Sequence, residues 1–393
     1  MKKKQEAVIL IVVISLITIV TGGVLLQSTF EELTQLGKEA PFVQSEVETI
    51  LVDQPPSEEK LRSIYATLLN VQGKKEARNF YITKTKDDYL VSANYFSQSE
   101  LDFRTYAKRM KKMEQALPEK AELLYVGTSG KFIPDVTKVR DGYPNDLFND
   151  REMDELFLEL SYYQIPTLDL RKSKQRERLK YQQNYYRSHS IWTESAAFEA
   201  AVSIMSTLQT KQPTTFMYEE IVTQRQAYTE TVYPEKMRGD LLQATGNSFI
   251  KADDLITLTP KFKVDLSYKN LSDEEDFART GDFKTVVWNP LQVSELKKET
   301  FDPTEMYYSK DVEHLQLTNN NSEVKGKLLL LIDDYFVPVV GYLALMAQEV
   351  EVMVIEENHA SDIESVIASG NFDAIVVASQ APSLQETFFN FYK

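Results

Sequence analysis

The chain has 393 residues, of which 42% are hydrophobic, a formal net charge of -15 and no cysteine. That hydrophobic content suffices for one large domain or two ordinary ones and excludes a disordered chain. The missing cysteines exclude disulfides, thiolate catalysis and thiolate metal sites, and the negative charge excludes general binding to nucleic acid.

The first predicted element is the uncharged apolar run Ala7 to Leu26, long enough to cross a bilayer core. It is read as a transmembrane helix and not a cleaved signal peptide, because the run is long for an h-region and no small-x-small site follows it. Lys2, Lys3 and Lys4 precede it, and Glu31 and Glu32 follow it. The positive-inside rule therefore places the chain after about residue 27 outside the cell membrane.

Residues 27–78 are expected to form a stalk or cap, with an amphipathic helix carrying Leu61, Ile64, Tyr65 and Leu68. "NFYITKTKDDYLVS" predicts a β-hairpin about a Lys-Asp-Asp turn. Next, "SELDFRTYAKRMKKMEQAL" opens with a capping box, Ser99 with Asp102, and carries Phe103, Tyr106, Ala107, Met110 and Met113 on one stripe. "ELLYVGT" then reads as a buried strand, Glu152 to Tyr162 as a helix and "QIPTLDL" as a strand. The basic run Arg171 to Lys180 is read as a solvated helix face.

After an irregular insertion at about 211–322, the C-terminal stretch alternates clearly: "KLLLLIDDYF" strand, "VVGYLALMAQ" helix, "VEVMVIEE" strand, "HASDIESVIAS" helix, "FDAIVVAS" strand. Aliphatic strands separated by amphipathic helices predict a parallel sheet covered on both faces. In such sheets ligands bind beyond the carboxyl ends of the strands, where "GTSG" with Thr128 and Ser129, "DDYF", and "RSHSIW" should meet.

The motif "YYRSHSIWT", together with "KLLLLIDDYF", resembles the DHHW family, extracytoplasmic bacterial proteins related to SGNH hydrolases and to exopolysaccharide acetyltransferases. The family's first motif reads approximately Y-Y-R-T-D-H-H-W-T, and its second places Asp-Ser-Tyr after a strand. Matches run from about Asn79 to Tyr392, so residues 79–393 are assigned to the SGNH-like domain. The resemblance implies a three-layer α/β fold, preceded here by the single N-terminal transmembrane helix.

Tyr185, Tyr186, Arg187, Trp192 and Thr193 match the first motif, with Ser188 beside them, and Asp333 and Tyr335 match the second. The family's nucleophilic serine falls on Asp334, its triad aspartate on His189 and its triad histidine on Ile191. Shifting the second motif by one residue puts Asp333 or Tyr335 at the nucleophile position and still supplies no serine. A serine nucleophile needs a hydroxyl within reach of a base and a group to orient that base, so the resemblance implies a site released from catalysis.

Two sharper readings stand beside this one. A His189–Asp334 pair could act as a general base, or Thr128 or Ser129 could serve as a relocated nucleophile, although "GTSG" lacks the G-x-S-x-G elbow. Asp169 with Asp333 and Asp334 could hold a hard cation, but adjacent acids at a strand end usually diverge, so no metal and no cofactor is expected. His314 and His359 read as surface histidines.

Tyr185, Tyr186, Trp192 and Tyr335 are the aromatics expected near the cleft, where rings can stack on sugars. The leading expectation is thus a membrane-anchored, non-catalytic protein that binds an envelope glycan or a partner. The resemblance names a membrane-bound O-acyltransferase as that partner. The alternatives are an O-acyltransferase or esterase with rearranged residues, and a structural scaffold.

Overall fold

The computed structural model describes residues 65–67, 69–92, 101–143, 148–172, 184–246, 249–272, 278–288, 307–308, 313–355 and 358–393. Residues 7–26 lie outside them, as do Leu61, Ile64, Leu68, Ser99 and positions 173–180. Among the described residues no helix is long and apolar enough to cross a membrane.

In chain order the elements begin with the short strands β1 (Glu76–Ala77), β2 (Ile82–Lys84) and β3 (Leu90–Ser92). These pair antiparallel, giving the predicted hairpin and one extra strand. Helix α1 (Phe103–Ala116), strand β4 (Glu122–Thr128), helix α2 (Phe148–Tyr162), strand β5 (Thr167–Asp169) and helix α3 (Glu194–Lys211) follow. The region of the insertion is ordered into β6 (Tyr228–Met237), α4 (Asp240–Thr245), β7 (Asp253–Pro260), β8 (Leu266–Asn270), β9 (Ala278–Gly281), α5 (Phe283–Val287) and β10 (His314–Asn319). The C-terminal run is β11 (Lys327–Ile332), α6 (Val337–Leu343), β12 (Glu349–Val354), α7 (Ala360–Ser369) and β13 (Ala374–Gln380).

One eight-stranded sheet runs β5-β4-β13-β11-β12-β10-β8-β9. Its β5-β4-β13-β11-β12 portion is parallel, as expected. The expectation of a purely parallel sheet is corrected by β10, β8 and β9, which continue it antiparallel. β10 and β8 alternate buried with more exposed residues and β9 has none buried, as suits an outer part of the sheet, whereas the centre is apolar on both faces. β6 and β7 form a separate antiparallel ribbon with a register shift between Tyr233 and Met237.

Strand side chains alternate between two cores. On one face Leu124, Leu328, Leu330, Val352 and Val376 pack with α3 and α6, including Ala197, Ala201 and Val340. On the other, Leu123, Leu329, Leu331, Ile375 and Val377 pack with α1, α2 and α7 through Met110, Leu156 and Ile363. This is the three-layer α/β arrangement. The α1 stripe is buried as predicted, but the cap hydrogen bond comes from Asp102, which accepts from Thr105 N at 3.0 Å. Near the start, Ala66 and Leu69 face inward while Tyr65 is exposed, correcting the stripe that included Tyr65.

Candidate functional site

β4, β11 and β13 end together, so the segments after them share one edge of the sheet. After β11 the chain turns into a short 3-10 helix, Asp334–Phe336. Asp333 Oδ2 accepts from Gln380 N at 2.9 Å and its N–H reaches Ala378 O at 3.3 Å, tying β11 to β13. Asp334 is the exposed residue of this turn, and desolvation raises its carboxyl pKa. Asp169 does not join the two aspartates in a cation site. Its carboxylate receives Arg171 Nε at 2.8 Å and lies 3.0 Å from Lys172 Nζ.

The "YYRSHSIWT" segment is a loop pinched at its base by a bridge between Tyr185 and Trp192 and by Thr193 N donating to Asn184 O at 2.9 Å. Thr193 then caps α3, its hydroxyl accepting from Ala196 N. Two carboxylates from the 237–253 stretch hold the loop. Asp253 accepts from Arg187 Nε at 2.6 Å and from Ser188 N at 2.7 Å. Asp240 lies 2.9 Å from His189 Nδ1 and accepts from both the backbone N and the hydroxyl of Ser190. Burial raises the Asp240 pKa, but His189 and Ser190 outweigh it and hold the carboxyl far below its usual range. At Gly239 a Cβ would lie 2.2 Å from His189 Cβ, so the close approach of the two segments requires glycine.

The aromatic side chains read as cleft-lining are core. Tyr185, Tyr186, Trp192 and Tyr335 are 1%, 5%, 1% and 2% exposed, and the Trp192 ring lies 4.6 Å from that of Tyr335. Their apolar surface is more stable inside than on a wet rim. Ile191 packs against the same core.

The predicted His189–Asp334 pair is replaced by His189–Asp240. The candidate hydroxyls have other surroundings. Ser188 Oγ donates to Met237 O at 3.0 Å, Ser129 is hydrogen-bonded to Asp150, and Thr128 is fully buried. His189 Nε2, the atom a substrate would have to meet, is itself shielded from solvent. His314, read as a surface residue, is largely buried with Nε2 2.7 Å from Glu351 Oε1.

Sequence reasoning missed four charged residues here. Asp240 and Asp253 carried no spacing signal. Lys131 follows "GTSG" directly, is buried, and donates to Arg187 O at 2.9 Å. Desolvation brings its pKa down to about 7, against the pull of Asp240 and Asp253. Glu194, the first residue of α3, is a third unforeseen acid. Burial lifts its pKa to about 8, and it is bonded to the Tyr342 hydroxyl.

No family model and no curated protein matches this sequence. Solved structures do match it. Bacillus cereus PatB1 with a sulfonyl adduct superposes with a TM-score of 0.61 at 18% identity, covering 79% of this chain and 97% of that one. A DHHW family protein from Eubacterium siraeum gives 0.55 at 11% identity over 79% and 93%. The fold is therefore shared with a DHHW family protein, in line with the resemblance of the two motifs.

Proposed function

We infer that this protein is a non-catalytic member of the machinery that modifies cell-envelope polysaccharides, held at the outer face of the membrane by residues 7–26. It binds a glycan or a membrane-bound O-acyltransferase partner. The observation that carries this reading is the state of the three triad positions. Asp334 offers no hydroxyl, Ile191 packs half-buried against the apolar core, and the His189 ring is turned onto Asp240 with Nε2 buried. Acyl transfer needs a nucleophile, an accessible base and donors aimed at the oxyanion, and an exposed carboxylate at the nucleophile position repels that developing charge.

The test is a sulfonyl fluoride labelling experiment on the full chain, read by intact mass, beside turnover of acetylated chromogenic esters. We expect neither an adduct nor turnover above the buffer rate. Stoichiometric labelling of one residue with matching ester turnover would overturn the reading and identify the replacement nucleophile.

A further inference from the structure

A cavity of about 570 Å³ opens at the opposite end of the sheet from Asp334. It lies where β10 ends and the segment 261–265 leads from β7 into β8, beside the amino end of β12. Its volume falls within the roughly 300–1,000 Å³ of small-molecule sites. The floor is apolar, from Val222, Val324 and Leu345. Phe262 forms part of the wall, half-buried and set edge-on to Tyr228 at 5.6 Å. A second cavity of about 220 Å³ shares Phe262, Lys263 and Val264 with the first.

The rim carries exposed hydrogen-bonding groups of both kinds. Glu219 and Asp265 supply carboxylate acceptors, Lys263 an ammonium donor, and Asn320 holds Asp265 Oδ1 through its amide at 2.8 Å. Asn319 is buried and fixed by Ala344 O at 2.9 Å and by Asn321 N at 3.0 Å, which sets the path of the 319–321 turn. Formal charge over Glu219, Asp265 and Lys263 sums to -1, on a chain of -15.

We propose that this cavity binds a linear, uncharged oligosaccharide, with a pyranose ring laid on Phe262 and its hydroxyls bonded to Asp265 and Lys263. An aromatic wall meets the apolar C–H face of a sugar, while carboxylates accept from hydroxyls and an ammonium donates to them. The net negative rim disfavours an anionic polymer. A cavity of about 570 Å³ has room for more than a single ring. The inference builds on the glycan-binding reading but places the ligand away from the strand ends that carry Asp334.

The experiment is saturation-transfer difference NMR on the full chain in a detergent without a sugar headgroup. The probes are cellotriose, triacetylchitotriose, trigalacturonate and decaproline. We expect the two uncharged trisaccharides to bind, with transfer strongest to ring C–H protons. Affinity should fall about tenfold or more on Phe262→Leu, which keeps the apolar packing, and on Asp265→Asn. Trigalacturonate should bind more weakly. The proposal is overturned if neither uncharged trisaccharide binds, if decaproline or trigalacturonate is preferred, or if affinity is indifferent to Phe262→Leu. Binding that survives Phe262→Leu but is lost on Arg187→Ala would overturn the cavity while leaving a glycan-binding role at the strand ends.

Discussion

Glu194 sits where a carboxyl has no water to ionise into. It is buried at the start of α3, bonded to Tyr342, and its pKa rises to about 8. The folded state therefore holds a proton that the unfolded chain releases near its usual carboxyl pKa, so stability falls as pH rises from about 4.5 to about 8. Glu194→Gln removes that slope. The variant's gain in unfolding free energy over the parent, measured by urea unfolding, should widen across this window, by on the order of 4 kcal/mol at its upper end. A constant difference between pH 4.5 and 8 would refute the shift.

Asp240 behaves in the opposite sense. Its depressed pKa contributes stability above the unfolded value of 3.8 that is lost as pH falls through the folded value. Asp240→Asn should cost about 1–3 kcal/mol at pH 7 and progressively less below pH 4, measured by urea unfolding. Neither residue was legible in the sequence, where an acid beside a helix start reads as an ordinary first-turn charge. What separates Glu194 from Asp240 is the surroundings that packing brings to each.

Among the elements, the pinched loop 185–192 with Thr193 after it shows what the residues of its frame hold in place. Its arginine, tryptophan and threonine do structural work: Arg187 binds Asp253, Trp192 fills the core against Tyr335 and Phe336, and Thr193 caps α3. None of these contacts depends on the residues at 189, 191 or 334 being catalytic. Gly239→Ala pushes a methyl into the His189 ring and its backbone, and overpacking of this kind costs about 1–3 kcal/mol. We expect a lowered Tm with the altered chemical shifts confined to 187–191 and 237–242. A neutral effect would show that the loop and α4 part freely. The loop's placement before a helix, the α1 stripe and the C-terminal strands were readable because burial follows a fixed period along each element. The antiparallel extension by β8, β9 and β10 was not, since pairing of distant strands leaves no local signature.

At the scale of the whole molecule, the five parallel strands have a core on each face, while the β6–β7 ribbon exposes most of β6. Native-state hydrogen exchange should therefore find the slowest amides in β4, β11 and β13, near the global unfolding limit, and faster exchange in β6. Equal protection in both would contradict this division. The sequence by itself determined the layered α/β architecture, because continuous aliphatic strands and amphipathic helices state which faces are buried. It also carried the resemblance that puts Asp334, and no serine, where the family has its nucleophile. Only the tertiary structure decided that His189 turns to an aspartate 50 residues beyond Ser190, that the expected cleft aromatics lie in the core, and that the roomy concavity opens at the far end of the sheet. Periodicity reports local burial, whereas these three outcomes depend on which distant surfaces meet, and that is fixed by packing across the whole chain.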